Sequence, residues 1–343
     1  MCRSRLVPEP TVILGWSRGL PAPVAVVYEA APTGFGLARF LTGRGMSCVV
    51  AAPSKLHRPS GDRVKTDAND ALLLARLLRL GEIVAVTVPS VEQEAARDLV
   101  RVRDDVRGDL MRGRHRVSKL LLRQGIVWSG GTAWTVAHHN WLARQTFAQR
   151  PLGVAYDSAL ETVLLTADRR DRLDKTIIAL AADPAWSPMV RRLSCLRGVS
   201  TLTAFALAVE VGDWTRFTGN TIGAFLGLVP TERAFLRCQP QPGLDHQGRE
   251  HARRLLVEAA WHHKQPYRSP SKTMRDRREL APAAAKARGH AGNVRLHQRW
   301  LVFQERKKRP VIANVAVARE LAGWCWSLAT LDDVGAVAIG EAR

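Results

Sequence analysis

Apolar positions follow two different rhythms along this chain, and the change of rhythm divides it. Residues 24–29, Val-Ala-Val-Val-Tyr-Glu, form a short β-branched run that ends in an acid and is followed by Pro32, Gly34 and Gly36. A run of this length bounded by turn formers predicts a buried strand. A helical stretch over residues 35–41 follows, Gly43 and Gly45 stop it, and Ser47 to Ala52 reads as a second strand closed by Pro53. Strand, helix and strand in this order predict a parallel pair, because a parallel connection needs a crossover. A basic loop with Lys55, His57, Arg58, Arg63 and Lys65 comes next. Thr66 then opens a helix carrying Leu72, Leu73, Leu74, Leu77 and Leu78, with Asp67 and Asp70 in its first turn.

From Glu92 to Gln124 the period lengthens. Ala95, Leu99, Val102, Val106, Leu110, Val117 and Leu120 recur largely at three- and four-residue steps between arginines and aspartates. That pattern predicts a long amphipathic helix, read here as one arm of an antiparallel coiled-coil hairpin. It breaks over Ser129 to Arg150, where Gly130, Gly131, Trp134 and Trp141 fall, and resumes from Ala159 to Ala182. Asp183-Pro184 marks a boundary, and helices are predicted beyond it over residues 196–212, 214–228, 253–263 and 313–328. The expected organisation is an α/β domain over residues 1–90, a helical coiled-coil connector over 91–183, an all-α domain over 184–330 and a tail over 331–343.

Composition sharpens this picture at three points. With 343 residues, 46% of them hydrophobic, the chain can bury a core in each of two domains, which excludes wholesale disorder. Lysine and arginine number 51 against 31 acids, a net charge of +20, and this predicts a polyanionic partner, nucleic acid first. Half of that excess lies in Arg268 to Arg309, with thirteen basic residues against three acids. Such a segment is either a solvated surface or a phosphate-binding one; the embedded Trp300 and Phe303 favour phosphate contact with some base stacking. The residues expected to touch nucleic acid are Lys55, Arg58, Arg63, Lys65, Arg253, Arg254, Arg295, Arg299, Arg306, Lys307, Lys308 and Arg309. Trp324 and Trp326 read as core anchors. No apolar run approaches the roughly 18–20 residues of a membrane span, and Met1 to Arg5 does not open a signal peptide. A soluble, cytoplasmic protein is expected. Five isolated cysteines, without a Cys-x-x-Cys pair, predict reduced thiols rather than zinc ligands or disulfides.

The acids carry the candidate chemistry. Asp67 and Asp70 stand three residues apart, so one helix face presents both, and Glu29 closes a strand whose carboxyl end is where ligands collect on a parallel sheet. Converging carboxylates hold Mg²⁺, a hard cation, for in-line attack on a phosphodiester. The alternative is that Asp67 and Asp70 only complement the orphan N–H groups and macrodipole of a helix start while Glu29 is solvated.

Several blocks together resemble a known family. Val26-Val27-Tyr28-Glu29-Ala30, Pro32-Thr33-Gly34-Phe35-Gly36, Lys65-Thr66-Asp67-Ala68-Asn69-Asp70-Ala71, Leu228-Val229-Pro230, and Arg253 to Trp261 look like the DEDD transposases of the insertion sequence one-ten family. The resemblance implies a RuvC-like (RNase H-like) α/β domain, a coiled-coil connector and a helical transposase-20 domain. It implies four Mg²⁺-binding acids, of which Glu29, Asp67 and Asp70 match the second, third and fourth, and a serine that attacks DNA. It also implies an element-encoded guide RNA, a homo-oligomer (dimer or tetramer) and a nucleoid-associated place in the cell. Gly198-Val199, Thr203 and Glu210 to Asp213 match the opening of the helical domain, which looks like a helix-hairpin-helix element.

Two departures set further expectations. The 28 residues before Glu29 contain no aspartate, so the first acid and its strand are expected to be missing and the RuvC-like domain incomplete. Where the family carries Ser-Ser-Gly, this chain has Ala234-Phe235-Leu236, so the serine nucleophile expected near Phe235 is absent. The segment keeps its length while its identity changes, which reads as a compensated frame slip. The expected function is that of an insertion-sequence transposase impaired in this copy; the alternative is a non-catalytic nucleic-acid-binding remnant that joins the oligomer of an intact enzyme. A Holliday-junction nuclease would leave the helical domain unexplained.

Overall fold

The computed structural model describes residues 4–30, 33–53, 56, 66–229 and 244–331. After a first helix, α1 (Pro10–Arg18), come β1 (Ala25–Glu29), α2 (Gly36–Thr42) and β2 (Ser47–Ala51). The strands pair in parallel, with Ala25 opposite Ser47 and Glu29 opposite Ala51. Ala52 N–H donates to the Val84 carbonyl and Val86 N–H to the Val50 carbonyl, an antiparallel bridge that lines residues 84–86 along β2. Ala30, Ala38 and Val50 form the small core of this unit, with Tyr28, Phe35 and Val86 packed around them. α3 (Asp67–Leu80) lies against β1. Its start is fixed by the Thr66 hydroxyl, which accepts from Asn69 N–H at 3.3 Å, and its end by Gly81 at φ 71°. Among the described residues strand structure is confined to this unit, and everything beyond residue 90 is helical.

α4 (Val91–Arg123) is the 33-residue amphipathic helix, capped by Ser90. α6 (Arg150–Leu180) returns beside it. Arg103 binds Asp174 while Gly113 faces Val163, so numbers fall on one helix as they rise on the other and the pair is antiparallel. Val106, Leu110, Val117, Tyr156 and Val163 are buried along the seam. A Cβ on Gly113 would stand 3.1 Å from a Val163 methyl carbon, which is why the helices approach so closely there. The break in the periodic pattern contains a short helix, α5 (Val136–Leu142), tied down by the Tyr156 hydroxyl donating to the Leu142 carbonyl at 2.7 Å.

The C-terminal part comprises α7 (Ser187–Leu193), α8 (Thr201–Val211), α9 (Thr221–Phe225), α10 (Leu244–Ala260), a 3₁₀ turn (Trp261–Lys264), α11 (Lys272–Arg278), α12 (Ala283–Glu305) and α13 (Pro310–Ala329). α8 is its centre: every residue from Ala204 to Val211 is buried. Gly198, just before α8, has φ 82°, and the Ala259 carbonyl oxygen lies only 2.5 Å from where a Cβ would be. Two expectations are corrected here. The helix predicted over 214–228 shrinks to five residues, because Asp213 and Thr218 side chains engage the backbone N–H groups of Thr215 and Thr221 and so compete with helix formation. Trp300, expected at a base-stacking surface, is 5% exposed and sits inside the core beside Trp261, its indole reaching the Ala260 carbonyl.

One buried carboxylate joins α4 to this C-terminal part. Glu210, with its side chain 1% exposed, receives Arg101 through two hydrogen bonds of 3.1 and 2.9 Å, and His251 Nδ1 lies 3.1 Å from it. Arg97 approaches to 3.6 Å and donates, with Gln93, to the adjoining Val209 carbonyl. Arg254 reaches from α10 to Asp104, and Arg107 from α4 to Glu258. Burial pushes the Glu210 carboxyl upward, but hydrogen bonds from His251 and Arg101 together with the Arg101 charge outweigh it and hold the group below the usual carboxylate range. The same end of α4 also holds the α/β unit, since Arg39 of α2 pairs with Glu94 and donates to the Pro89 carbonyl.

Two outcomes follow from this packing. Gly198→Ala should destabilise the chain by roughly 3 kcal/mol, since it adds a carbon both to a left-handed position and against a backbone oxygen; thermal unfolding reads it. Glu210 has a depressed pKa when folded, so its contribution is present above the ordinary glutamate value and lost as pH falls through the lower folded value. Glu210→Gln should therefore cost about 3 kcal/mol at pH 7, and the gap to the parent should narrow below about pH 4.3. Urea unfolding across pH 3–7 checks this; a gap that does not change with pH contradicts it.

Candidate functional site

Glu29 is the last residue of β1 and is half-buried at the carboxyl end of the parallel pair. The next residue, Ala30, donates its N–H to the Ala51 carbonyl, which fixes the strand end against β2. Asp67 and Asp70 occupy the first turn of α3, Asp67 exposed and Asp70 half-buried, on the helix that packs along the same strand. Glu29 and Asp70 are both engaged by neighbouring groups. The sheet and α3 thus place all three acids on one small unit. Among the described residues no three acids, histidines or cysteines close into a preformed metal group. The donor set still suits Mg²⁺, which binds through one or two carboxylates plus substrate phosphate oxygens and water rather than in an all-protein cage.

Immediately beyond Glu29 lies a cleft of about 90 Å³ that no sequence pattern marked. Ala30, Phe35 and Val86 of the α/β unit form one wall, and Arg97, Arg101, Glu210, Arg216 and Arg249 the other. Arg216 lies over the rings of Phe217 and Phe225, at 4.6 and 5.1 Å, and Arg249 lies over Phe225 at 5.3 Å. Arg216 also donates to the Asp213 and Val211 carbonyls, so the fold fixes its position. The one signal available beforehand was the four-residue spacing of Arg97 and Arg101, which puts both on one face of α4. The carboxylate that lines this cleft is Glu210, already bound by Arg101, so the cleft presents mainly guanidiniums beside the strand end.

The other expected nucleic-acid contacts divide into three groups. Lys55, Arg58, Arg63 and Lys65 lie outside the described residues, as do Phe235 and Cys238. Arg254 is committed to Asp104 and Glu258, so it belongs to the junction; Arg295 and Arg299 share Glu320 on α13, at 3.0 and 3.6 Å, and Arg253 lies 3.8 Å from Glu250. Arg306, Lys307, Lys308 and Arg309 are exposed together in the turn between α12 and α13, with Lys307 at φ 50°. That turn is a compact cationic patch. Cys195 and Cys325 are buried, and burial raises their thiols to about 11 and about 12, so neither is a ready nucleophile.

Comparison with known proteins matches both ends of this arrangement. A DEDD transposase profile of the IS110 type covers residues 13–125, which hold the three acids, and the profile of the transposase IS116/IS110/IS902 family covers residues 190–273, which hold Glu210 and His251. The chain is 37% identical over 305 residues to y4qE of Sinorhizobium fredii, covering 88% of this chain and 74% of that protein. It is 35% identical over 286 residues to the transposase for insertion sequence element IS1533 of Leptospira borgpetersenii, covering 82% of each. It is 24% identical over 248 residues to the transposase for insertion sequence element IS1111A of Coxiella burnetii, covering 68% of this chain and 64% of that protein. Among the described residues no helix is long and apolar enough to cross a membrane. The chain belongs to the IS116/IS110/IS902 family of insertion-sequence transposases.

Proposed function

We propose that this transposase acts on DNA through a Mg²⁺-dependent strand-transfer site built on Glu29, Asp67 and Asp70, guided by an element-encoded RNA, and that the chain as written is impaired at the covalent step. The placement of Glu29 at the carboxyl end of β1, with α3 and its two aspartates against the same strand, carries this reading. When bound there, Mg²⁺ supplies charge neutralisation at the scissile phosphate and orients the attacking oxygen. The three carboxylates hold the ion. Arg216 and Arg249 across the cleft supply positive charge to the phosphates, and the Arg306 to Arg309 turn holds the backbone at a distance from the chemistry. A homo-oligomer, dimer or tetramer, completes the site in the family pattern, and the protein works in the cytoplasm on nucleoid DNA.

Impairment rests on Ala234-Phe235-Leu236, which offers no hydroxyl where the family nucleophile belongs. Covalent strand cleavage needs a hydroxyl positioned within reach of the phosphate. The same observation favours a second reading, a non-catalytic nucleic-acid-binding protein that joins the oligomer of an intact copy. The two readings share every basic feature and differ in whether a serine nucleophile and four acids exist.

Two measurements test the proposal. Affinity for DNA should fall steeply with salt, and replacing Arg306, Lys307, Lys308 and Arg309 by alanine should reduce the slope of log affinity against log salt by about 3 to 4; fluorescence anisotropy over a salt series reads both. An unchanged slope contradicts the assignment of that turn. Given Mg²⁺, matching DNA and guide RNA, the purified chain should form no covalent protein–DNA adduct on a denaturing gel. An adduct mapped to any residue overturns the impairment.

A further inference from the structure

A second cleft lies in the C-terminal part, and none of the three acids lines it. It has a volume of about 460 Å³ and runs between α12, α13 and the loop before α9. Arg288 and Arg299 line it from α12, and Arg319, Glu320, Trp324 and Trp326 from α13. Arg288 and Arg299 are eleven residues apart on one helix, so the basic wall extends for roughly 16 Å.

The two tryptophans, Arg288 and Arg299 are held in place by the fold. Trp324 lies against Gly292 of α12, where a Cβ would meet its ring at 2.9 Å, and Arg288 stands 5.2 Å from the Trp324 ring centre while donating to the Ser327 hydroxyl at 3.1 Å. Trp326 donates its indole N–H to the Phe217 carbonyl at 2.9 Å, and its ring rests beside Gly219. Both tryptophans are half-buried: they pack against the core, as the sequence suggested, and also line the cleft. Arg299 is shared between Glu320 and the face of Phe303. Arg319 is exposed, its stem packed against Gly223, and its guanidinium makes no hydrogen bond or ion pair among the described residues. Three arginines therefore face one glutamate around two indoles.

We propose that this cleft binds an unstacked nucleotide of a single-stranded segment, the base on the Trp324 and Trp326 side and the phosphates on Arg288, Arg299 and Arg319. The chemistry excludes a duplex as the occupant. A base inside a stack has no free face to offer an indole, whereas a splayed base does, and recessed aromatics between cations are how sequence-tolerant single-strand sites are built. The volume lies within the range of sites that enclose one small ligand. The proposal rests on the nucleic-acid reading above and adds a site to it: the acids handle the strand being cut, and this cleft holds an unpaired strand.

The test uses the full chain with three labelled probes of one mixed sequence, a 20-nucleotide single-stranded DNA, the same RNA, and the blunt DNA duplex. Arg319→Glu should weaken binding of a single strand about tenfold or more while leaving duplex affinity within about threefold, because stacking and phosphate contact at this cleft act on the unpaired strand alone. Single-strand binding should also quench tryptophan fluorescence, and Trp324→Leu should reduce that quench. Arg319 is exposed and uncommitted, so Arg319→Glu decides the matter even where Trp324→Leu fails to fold. Loss in the RNA arm or in the DNA arm supports the cleft and identifies the strand it holds. Equal losses for single strand and duplex, or none for either single strand, overturn it while leaving the DNA-binding reading intact. Failure of the parent chain to bind any of the three probes overturns both.

Discussion

The structure depends on a carboxylate that has been taken out of water and surrounded by cations. An ionised glutamate in a protein interior costs several kcal/mol unless its oxygens are met by well-placed donors. Glu210 meets that condition through Arg101, His251 and the nearby Arg97. Those partners come from α4 and α10, so satisfying one side chain on α8 brings three helices to a common point. α4 then acts as a strut. Its first turn holds the α/β unit through Glu94 and Arg39, the next two turns are fixed on Glu210 through Arg97 and Arg101, and its far half is packed against α6.

This arrangement explains why the strand-end cleft exists at all. Glu29 lies at the tip of a two-stranded sheet too small to make a deep pocket by itself. The junction supplies the missing wall by bringing Arg97, Arg101, Arg216 and Arg249 in front of the strand end. Because Arg101 serves both the junction and the cleft, the stability of the domain contact and the electrostatics of the site are coupled. The second cleft, between α12 and α13, is organised by the small residues Gly219, Gly292 and Gly323 that let bulky rings and arginines lie close to the backbone.

Local signals in the sequence translated well into structure. The β-branched run before Glu29, the Thr66 cap with Asp67 and Asp70 behind it, and the long periodic helix from about residue 91 each depend on neighbours within a few positions, and all are present. What sequence reasoning missed depends on distant partners. Glu210 lies 109 residues from Arg101 and 41 from His251, so its role could not be inferred from spacing. Trp300 sits in a run of cations that suggested a surface, yet its position on α12 faces the core beside Trp261, while Trp324 and Trp326 pack against the core as expected and also line a cleft. Charge and hydropathy averaged over a segment do not tell which face of a helix a given residue occupies. The expected helix over 214–228 failed for a related reason, since side chains of Asp213, Thr218 and Thr221 offer the backbone partners that propensity alone does not weigh.

The most direct test of the junction is a double-mutant cycle on Arg101 and Glu210. Stability of the parent, of Arg101→Ala, of Glu210→Ala and of the double variant would be measured by urea unfolding at neutral pH and low salt. Bidentate contact with a buried acid predicts that the double variant loses less than the sum of the singles, with a coupling of about 2 kcal/mol. Additivity to within about 0.5 kcal/mol would show that the two side chains act independently and that the fold does not hinge on this carboxylate.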